Sequence, residues 1–255
     1  MYFDSRRSTV LATHGMVATS QPLAAMAGVR VMMEGGNAVD AAIASAAVLN
    51  VVEPVSTGVG GDMFALIWNN EEKSVRAING SGRAPMEATI DALKAEGHTT
   101  MPQRGVHSVT VPGAVHGWET LLESCGTMPL SHLLQPAIKY AEEGFPVSDI
   151  ISFQWSKMVE MLSRLPSGQE MLLHGKAPKH GEMMRIPTLG RTLRAVAEGG
   201  SEAFYKGDIA AKTAEFIQEQ GGCMTTADMA NHTSDWQEPI STGYQIGRPS
   251  CRERV

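Results

Sequence analysis

The stretch GGNAVDAAIASAAVLNVVEPVSTGVGGD, residues 35–62, decides the fold of the N-terminal half of the chain. Its two opening glycines predict the end of one helix, because glycine readily adopts the left-handed conformation of a helix C-cap. Asn37 predicts the start of the next helix, since its side chain can accept hydrogen bonds from the first free amides. That helix is rich in alanine, and its small side chains allow close packing against other elements. We therefore predict a buried helix after Asn37.

Three glycines, at positions 58, 60 and 61, precede the apolar run Met63–Trp68. Glycine permits backbone conformations that other residues rarely adopt, and the amides of such a loop can face an anion or a developing oxyanion. A dinucleotide-binding loop lies between a strand and a helix, whereas these glycines lie between a helix and a strand, which argues against nucleotide binding. Two interpretations stay open. Gly60, Gly61 and Asp62 form an oxyanion-binding loop, or they form a tight turn in which Asp62 accepts local hydrogen bonds.

Composition and charge exclude several classes of function. The chain has 255 residues, 43% apolar and 19% charged, which is typical of a globular protein. Its net charge of −6 argues against nucleic acid as a partner, because phosphate binding requires a basic surface. No apolar run approaches the roughly 18 residues of a membrane-spanning helix, so we expect no membrane partner. The N-terminus lacks the apolar segment of a secretory signal, which favours a cytoplasmic location, with the periplasm as the alternative. The three cysteines show neither metal-ligand nor disulfide spacing, and we expect no metal site and no cofactor.

Strand and helix patterns predict strands in the N-terminal half and a mostly helical remainder. Met63–Trp68 and Ser74–Ile78 flank a polar turn and predict an antiparallel hairpin. Met16–Ser20 is predicted to be a short strand, with Ser20 capping the helix that follows. After residue 113, apolar residues recur at helical spacing, and capping residues divide the chain into successive helices. One of them is predicted to end at Gly199-Gly200.

Nine stretches of the sequence resemble, in order, the large subunit of the gamma-glutamyltranspeptidase family of N-terminal-nucleophile hydrolases. They are ATSQPLAAMAG (18–28), GGNAVDAAIA (35–44), VVEPVSTGVGGD (51–62), RAP (83–85), TVPGAVHGWE (110–119), GTMPL (126–130), the predicted helix at 134–144, FYKGDIA (204–210) and GGCMTTADMANH (221–232). The resemblance therefore covers nearly the whole chain. It implies an α+β fold, a four-layer αββα sandwich of which this chain is the large-subunit part only, with a helix-rich C-terminal half.

The resemblance also implies a mechanism and a partner. Family members are proenzymes that cleave themselves before a threonine, which becomes the first residue of a small subunit and the nucleophile, with its own amine as general base. This chain shows no Thr-Thr-His-like processing site, since Thr99-Thr100 precedes Met101 and Thr225-Thr226 begins a predicted helix. We therefore place the catalytic residue outside this chain, expect a missing small subunit as its partner, and expect the chain alone to be inactive. The implied substrate is a small-molecule amide or gamma-glutamyl compound, which is hydrolysed or used for acyl transfer.

The resemblance predicts substrate binding around Ser81 and Arg83. Transpeptidases of the family carry Asp-Gly-Arg-Glu-x-Ala-Pro, whose arginine binds the alpha-carboxylate of a gamma-glutamyl group. Aligned on Ala84-Pro85, that arginine falls on Ser81, and Arg83 lies two residues later on the same side of an extended chain. Arg83 either binds the carboxylate through its guanidinium or fixes the loop by bonding backbone carbonyls. The Ser-Gly-Arg form resembles acylases and amidohydrolases, which puts glutathione in doubt as the substrate but not amide hydrolysis.

Residues 1–245 are interpreted as a partial large subunit, and residues 246–255, IGRPSCRERV, as a non-native tail that departs from the family pattern. The alternative function is a non-catalytic globular domain that holds a carboxylate with the glycine loop and Arg83. The remaining polar candidates are expected to be structural: a loop salt bridge for Glu53, and solvated or core positions for His14, His107 and His116.

Overall fold

A computed structural model describes residues 8–242, which form twelve α-helices, a short 3₁₀ turn at Val106–Ser108 and five strands. The helices are α1 (Pro22–Met33), α2 (Ala38–Val52), α3 (Ile90–Ala95), α4 (Ala114–Cys125), α5 (Leu130–Leu133), α6 (Gln135–Glu143), α7 (Asp149–Ser156), α8 (Val159–Leu162), α9 (Pro166–Gln169), α10 (Pro187–Tyr205), α11 (Asp208–Glu219) and α12 (Thr226–Ala230). The strands are β1 (Met63–Asn69), β2 (Ser74–Gly80), β3 (Phe145–Pro146), β4 (Met183–Met184) and β5 (Asp235–Gln237). None of the helices in this range combines the length and the hydropathy that crossing a membrane requires.

The helical hairpin of α1 and α2 forms the centre of the N-terminal half. Gly35 follows the end of α1 with a φ of 100°, in the region that favours glycine. The predicted cap of α2 is confirmed, since the Asn37 side chain accepts hydrogen bonds from the amides of Val39 and Asp40. The Asp40 carboxylate accepts in return from the Asn37 amide, which completes a capping box. Because α2 buries eleven of its fifteen residues, the predicted buried helix is also confirmed.

The buried Asp40 also ties α2 to the segment that follows α4. Its carboxylate accepts hydrogen bonds from the amides of Thr127 and Met128 and from the Thr127 hydroxyl. Burial alone would raise the pKa of Asp40, but the hydrogen bonds from Thr127, Asn37 and Met128 outweigh it and hold that pKa below its ordinary value. The carboxylate is therefore an ionised junction between two helices.

The predicted hairpin is confirmed and belongs to a three-stranded antiparallel sheet with strand order β1-β2-β5. β1 pairs with β2 along its whole length, starting with Met63 opposite Gly80, and α4 packs against both strands. Alternate residues of a strand face opposite sides of the sheet. On β1, Phe64, Leu66 and Trp68 are 67%, 73% and 56% exposed. These three residues form a row of large apolar side chains on the open face of the sheet, here called the β1 apolar row.

The C-terminal helices pack around α10, which contacts α4, α5, α6 and α11. The predicted helix end at Gly199-Gly200 is confirmed, because Gly200 leaves the helical region with a φ of 64° and a ψ of −160°. α10 is therefore two helices joined at this kink, and the second one ends at Tyr205. The turn after the kink is held by the Glu119 carboxylate, which accepts hydrogen bonds from the amide and the hydroxyl of Ser201. The fully buried side chains of this region include Leu133, Leu134, Trp155 and Leu193.

Three local predictions near the N-terminus are wrong. Met16–Ser20 is not a strand, because no segment within residues 8–242 pairs with it. Gln21, and not Ser20, caps α1. The Ser20 hydroxyl instead donates a 2.6 Å hydrogen bond to the buried Glu53 carboxylate, and within residues 8–242 this carboxylate does not form the predicted salt bridge.

The predicted α+β class is confirmed, with helices packed on a small antiparallel sheet and a mostly helical C-terminal half. The predicted tail at 246–255 lies outside the described residues, so the boundary at residue 245 stays a prediction.

Candidate functional site

Three loops meet at the start of β1, and their backbones approach one another closely. They are the glycine loop (58–62), the segment 80–83 after β2, and the segment 111–114 that leads into α4. The Gly61 carbonyl accepts hydrogen bonds from the amides of Gly113 and Ala114, both at 2.9 Å, and so caps α4. The Val111 amide donates to the Arg83 carbonyl at 3.0 Å. We call this arrangement the three-loop junction.

The close approach explains two of the glycines at the three-loop junction. A Cβ atom on Gly82 would lie 1.6 Å from the Val111 carbonyl oxygen, and one on Gly113 would lie 2.0 Å from the Gly80 carbonyl oxygen. Real side chains do not fit at such distances. These glycines therefore allow the segments after β2 and before α4 to touch, a use of glycine that depends on packing between distant segments.

Asp62 joins two of the loops. Its carboxylate accepts a 2.8 Å hydrogen bond from the Gly82 amide. The Gly61 amide donates to the Gly58 carbonyl at 3.0 Å, so this amide is already bonded within the turn. Gly58, Gly60 and Gly61 are not among the glycines of residues 8–242 that have positive φ, and a Cβ atom on Gly60 would meet open space. The oxyanion role of Gly60, Gly61 and Asp62 stays a prediction.

A cavity of about 420 Å³ opens beside the glycine loop, between the end of α2 and the start of α4. Its walls are mostly apolar, with a few polar groups. The lining residues include Asn50, Pro54, Thr57, Gly58, Asp62, Met63 and Trp118. A small organic molecule fits such a volume. The cavity is therefore the candidate binding space nearest to the predicted site residues.

Arg83 is bound to other side chains of its own chain. Its guanidinium donates to the Asp235 carboxylate at 2.8 Å and to the Thr233 hydroxyl at 3.4 Å. The two ionic side chains are 60% and 47% exposed. Ser81 lies on the same segment, and its amide donates to the Asn79 side chain at 2.8 Å. The Arg83 guanidinium therefore binds the Asp235 carboxylate at the edge of the three-loop junction. The substrate-binding role of Ser81 and Arg83 stays a prediction.

A group of three rings adjoins the three-loop junction, the buried Tyr205 and His232 and the half-buried His116, and the sequence reasoning missed it. The Tyr205 hydroxyl donates to the Pro112 carbonyl at 2.7 Å and accepts from the His116 amide at 3.2 Å. The Tyr205 ring stacks on His232, and the imidazoles of His116 and His232 meet edge to face. Burial, together with the neighbouring His116 and Arg83 side chains, lowers the pKa of His232 and favours its neutral imidazole. Tertiary packing alone brings positions 116, 205 and 232 together, and their spacing in the sequence gives no signal of it.

The other predicted residues do not join the three-loop junction. The Thr225 hydroxyl accepts from the Asp228 amide in a capping box, which confirms the prediction that this threonine caps a helix. His14 is exposed. His107 lies near Glu96 and His98, and these three form the one group of three or more potential metal ligands in the described part of the chain.

Comparison with known proteins defines the class to which this arrangement belongs. The family profile described as Gamma-glutamyltranspeptidase matches residues 24–251. The glutathione hydrolase-like YwrD proenzyme of Bacillus subtilis is 40% identical over 239 residues, which cover 93% of this chain and 45% of that protein. The chain thus spans less than half the length of this relative.

Solved structures agree with the family assignment. Cephalosporin acylase from Bacillus halodurans superposes with a TM-score of 0.90 at 43% identity, covering 95% of this chain and 46% of that one. Helicobacter pylori gamma-glutamyltranspeptidase gives a TM-score of 0.88 at 29% identity, covering 93% and 69%. The chain belongs to the gamma-glutamyltranspeptidase family, and the predicted N-terminal-nucleophile hydrolase fold is confirmed.

Proposed function

We propose that this chain is the first part of a self-processing enzyme that cleaves amide bonds, either gamma-glutamyl bonds or related acyl amides, by hydrolysis or acyl transfer. The observation that carries the proposal is the difference in coverage, since the YwrD proenzyme matches 93% of this chain but over only 45% of its own length. In this proposal the threonine nucleophile lies in a segment beyond this chain. The 255-residue chain alone is then inactive.

The location of the threonines in this chain supports a nucleophile elsewhere. Thr225 is occupied as a helix cap, and Thr99-Thr100 lies in irregular, exposed chain between α3 and the 3₁₀ turn. An N-terminal threonine activates itself through its own amine, which an internal threonine does not have.

The β1 apolar row supports a partner segment. Phe64, Leu66 and Trp68 expose more than half of their surface on one sheet face, and soluble domains rarely leave such a contiguous apolar patch uncovered. In the sandwich that the family resemblance implies, a second sheet packs on this face. The proposed small subunit supplies that sheet and brings the nucleophile next to the three-loop junction.

Arg83 is the proposed anchor of the substrate in this half. In the complete enzyme, its guanidinium exchanges the bond to Asp235 for one to a substrate carboxylate, with Ser81 beside it. The exposure of the Arg83–Asp235 pair supports this exchange, because a half-exposed ion pair contributes only about 0–1 kcal/mol and is readily broken.

Turnover of gamma-glutamyl and simple acyl anilides tests the proposal. We expect none above background from the 255-residue chain, and turnover by it would overturn the placement of the nucleophile. In the complete proenzyme, R83A should raise KM for the gamma-glutamyl anilide by at least about tenfold, the effect of losing one charged hydrogen bond. The matched control is R164A, which breaks an exposed arginine–glutamate pair of similar geometry and should leave KM unchanged. Equal effects of both variants would remove Arg83 from the binding site.

A further inference from the structure

Three side chains suited to a transition metal converge at the end of α3. Glu96 is the C-cap residue of that helix, His98 follows two residues later, and His107 lies in the 3₁₀ turn. One ligand atom from each lies within 4.8 Å of the other two. The His107 Nε2 atom is 3.1 Å from a Glu96 carboxylate oxygen, and the rings of His98 and His107 meet edge to face with centroids 5.1 Å apart.

We propose that Glu96, His98 and His107 form a zinc site. Zinc bonds of about 2.0–2.2 Å to nitrogen and oxygen place neighbouring ligand atoms of a tetrahedral site roughly 3.3–3.6 Å apart. The observed 3.1 Å contact is close to that spacing, and the remaining ligand atom reaches it by a movement of about 1–1.5 Å, within the range of a side-chain rotation. Three protein ligands leave a fourth position for water, as in an open zinc site.

The ligand set selects the class of metal. Two imidazoles and one carboxylate suit zinc and its neighbours in the first transition row. Calcium and magnesium take oxygen ligands, and two of the three ligands here are nitrogen. The site is partly accessible, since the Glu96 and His107 side chains are 51% and 22% exposed. An ion can therefore enter from solvent.

The position of the site indicates that a bound ion links two segments of the chain, although its three protein ligands differ from the four of a closed structural zinc site. α3 has no fully buried residue, so apolar packing contributes little to holding it. A metal bound to Glu96, His98 and His107 closes the segment between α3 and the 3₁₀ turn into a short loop. Such a link stabilises the folded state because the unfolded chain does not hold the three ligands together. This role is independent of the proposed amide chemistry.

The chain offers a matched control for the competing explanation, in which Glu96 and His107 form a simple ion pair. His132 contacts Glu34 at 2.8 Å and is also partly exposed, but this pair has no third metal-ligating neighbour within residues 8–242. If any histidine–glutamate contact sufficed, zinc would bind there equally well.

Calorimetric titration of the untagged 255-residue chain with zinc alone tests the site. We expect one equivalent to bind, with affinity lowered at least about tenfold by H98A, by H107A and by E96Q, because loss of a residue that only supports a zinc ligand already costs about 10–100-fold. H132A should leave the affinity unchanged. Zinc should also raise the Tm of the unmodified chain but not that of H98A/H107A.

A second measurement needs no variant. X-ray absorption of the zinc-loaded, unmodified chain should show two imidazole ligands and one carboxylate. The absence of saturable binding, an equal loss in H132A, or a spectrum without two imidazoles would overturn the proposal.

Discussion

Replacement of Asp40 by alanine tests how the N-terminal half is held together. The Asp40 carboxylate accepts from three backbone amides and one hydroxyl, and D40A leaves these donors without their acceptor. A buried donor without a partner costs about 1–3 kcal/mol. Thr127 is exposed, so water replaces part of the loss there. We therefore expect D40A to lower the free energy of unfolding by about 2–4 kcal/mol, the cost of one or two buried donors left without a partner.

Thermal and urea unfolding, followed by circular dichroism, measure this effect. For a domain of this size, about 3 kcal/mol corresponds to a decrease in Tm of roughly 6–12 °C. The control is D208A, which also removes an aspartate from the first turn of a helix but one whose side chain is 95% exposed. It should change the stability by less than about 0.5 kcal/mol. Equal effects of D40A and D208A would refute the claim that the Asp40 network joins α2 to the segment after α4.

Three further outcomes are expected. The pKa of Asp40 is lower in the folded protein than in the unfolded chain. The ionised carboxylate therefore stabilises the fold above the unfolded pKa of about 3.9, and this contribution is lost as the pH falls below that value. The free energy of unfolding of D40A should accordingly depend less on pH between about 5 and 3 than that of the unmodified chain. An unchanged acid slope would contradict this. Y205F removes a buried hydroxyl that bonds two backbone groups, and it should lower the free energy of unfolding in urea by about 1–3 kcal/mol. An unchanged free energy of unfolding would contradict these two hydrogen bonds. The triple variant F64S/L66S/W68S should reduce self-association of the chain, measured by light scattering, because burying each of these side chains is worth about 1.5–3 kcal/mol. Its Tm should stay nearly constant. Unchanged self-association would contradict the exposure of the β1 apolar row.

Local patterns were sufficient to predict the elements whose signals are local. The Asn37 cap, the buried alanine-rich helix and the hairpin all depend on residues close in sequence, and the structure confirms them. Met16–Ser20 was apolar enough for a strand, but a strand also requires a partner to accept its hydrogen bonds. The helix break at Gly199-Gly200 also follows from a local signal, whereas the Glu119 carboxylate that accepts from the Ser201 amide at the start of the next helix lies far away in the sequence.

The candidate site was predictable only in part, for the same reason. The spacing of its glycines predicts the glycine loop, the family resemblance predicts the segment around Arg83, and the structure brings the two together through the Asp62–Gly82 hydrogen bond. The Arg83–Asp235 pair and the stacking of Tyr205 on His232 join positions far apart in the chain. Such contacts depend on tertiary packing, which the spacing of residues in one sequence does not encode.

The central claim is that the catalytic threonine lies in a segment beyond this chain. Expression of the open reading frame that encodes these residues, read to its own stop codon, followed by N-terminal sequencing of the products, tests it most directly. We predict self-cleavage into two fragments, with a threonine as the first residue of the second one. An uncleaved product with anilide turnover, or cleavage within residues 8–242, would contradict the claim.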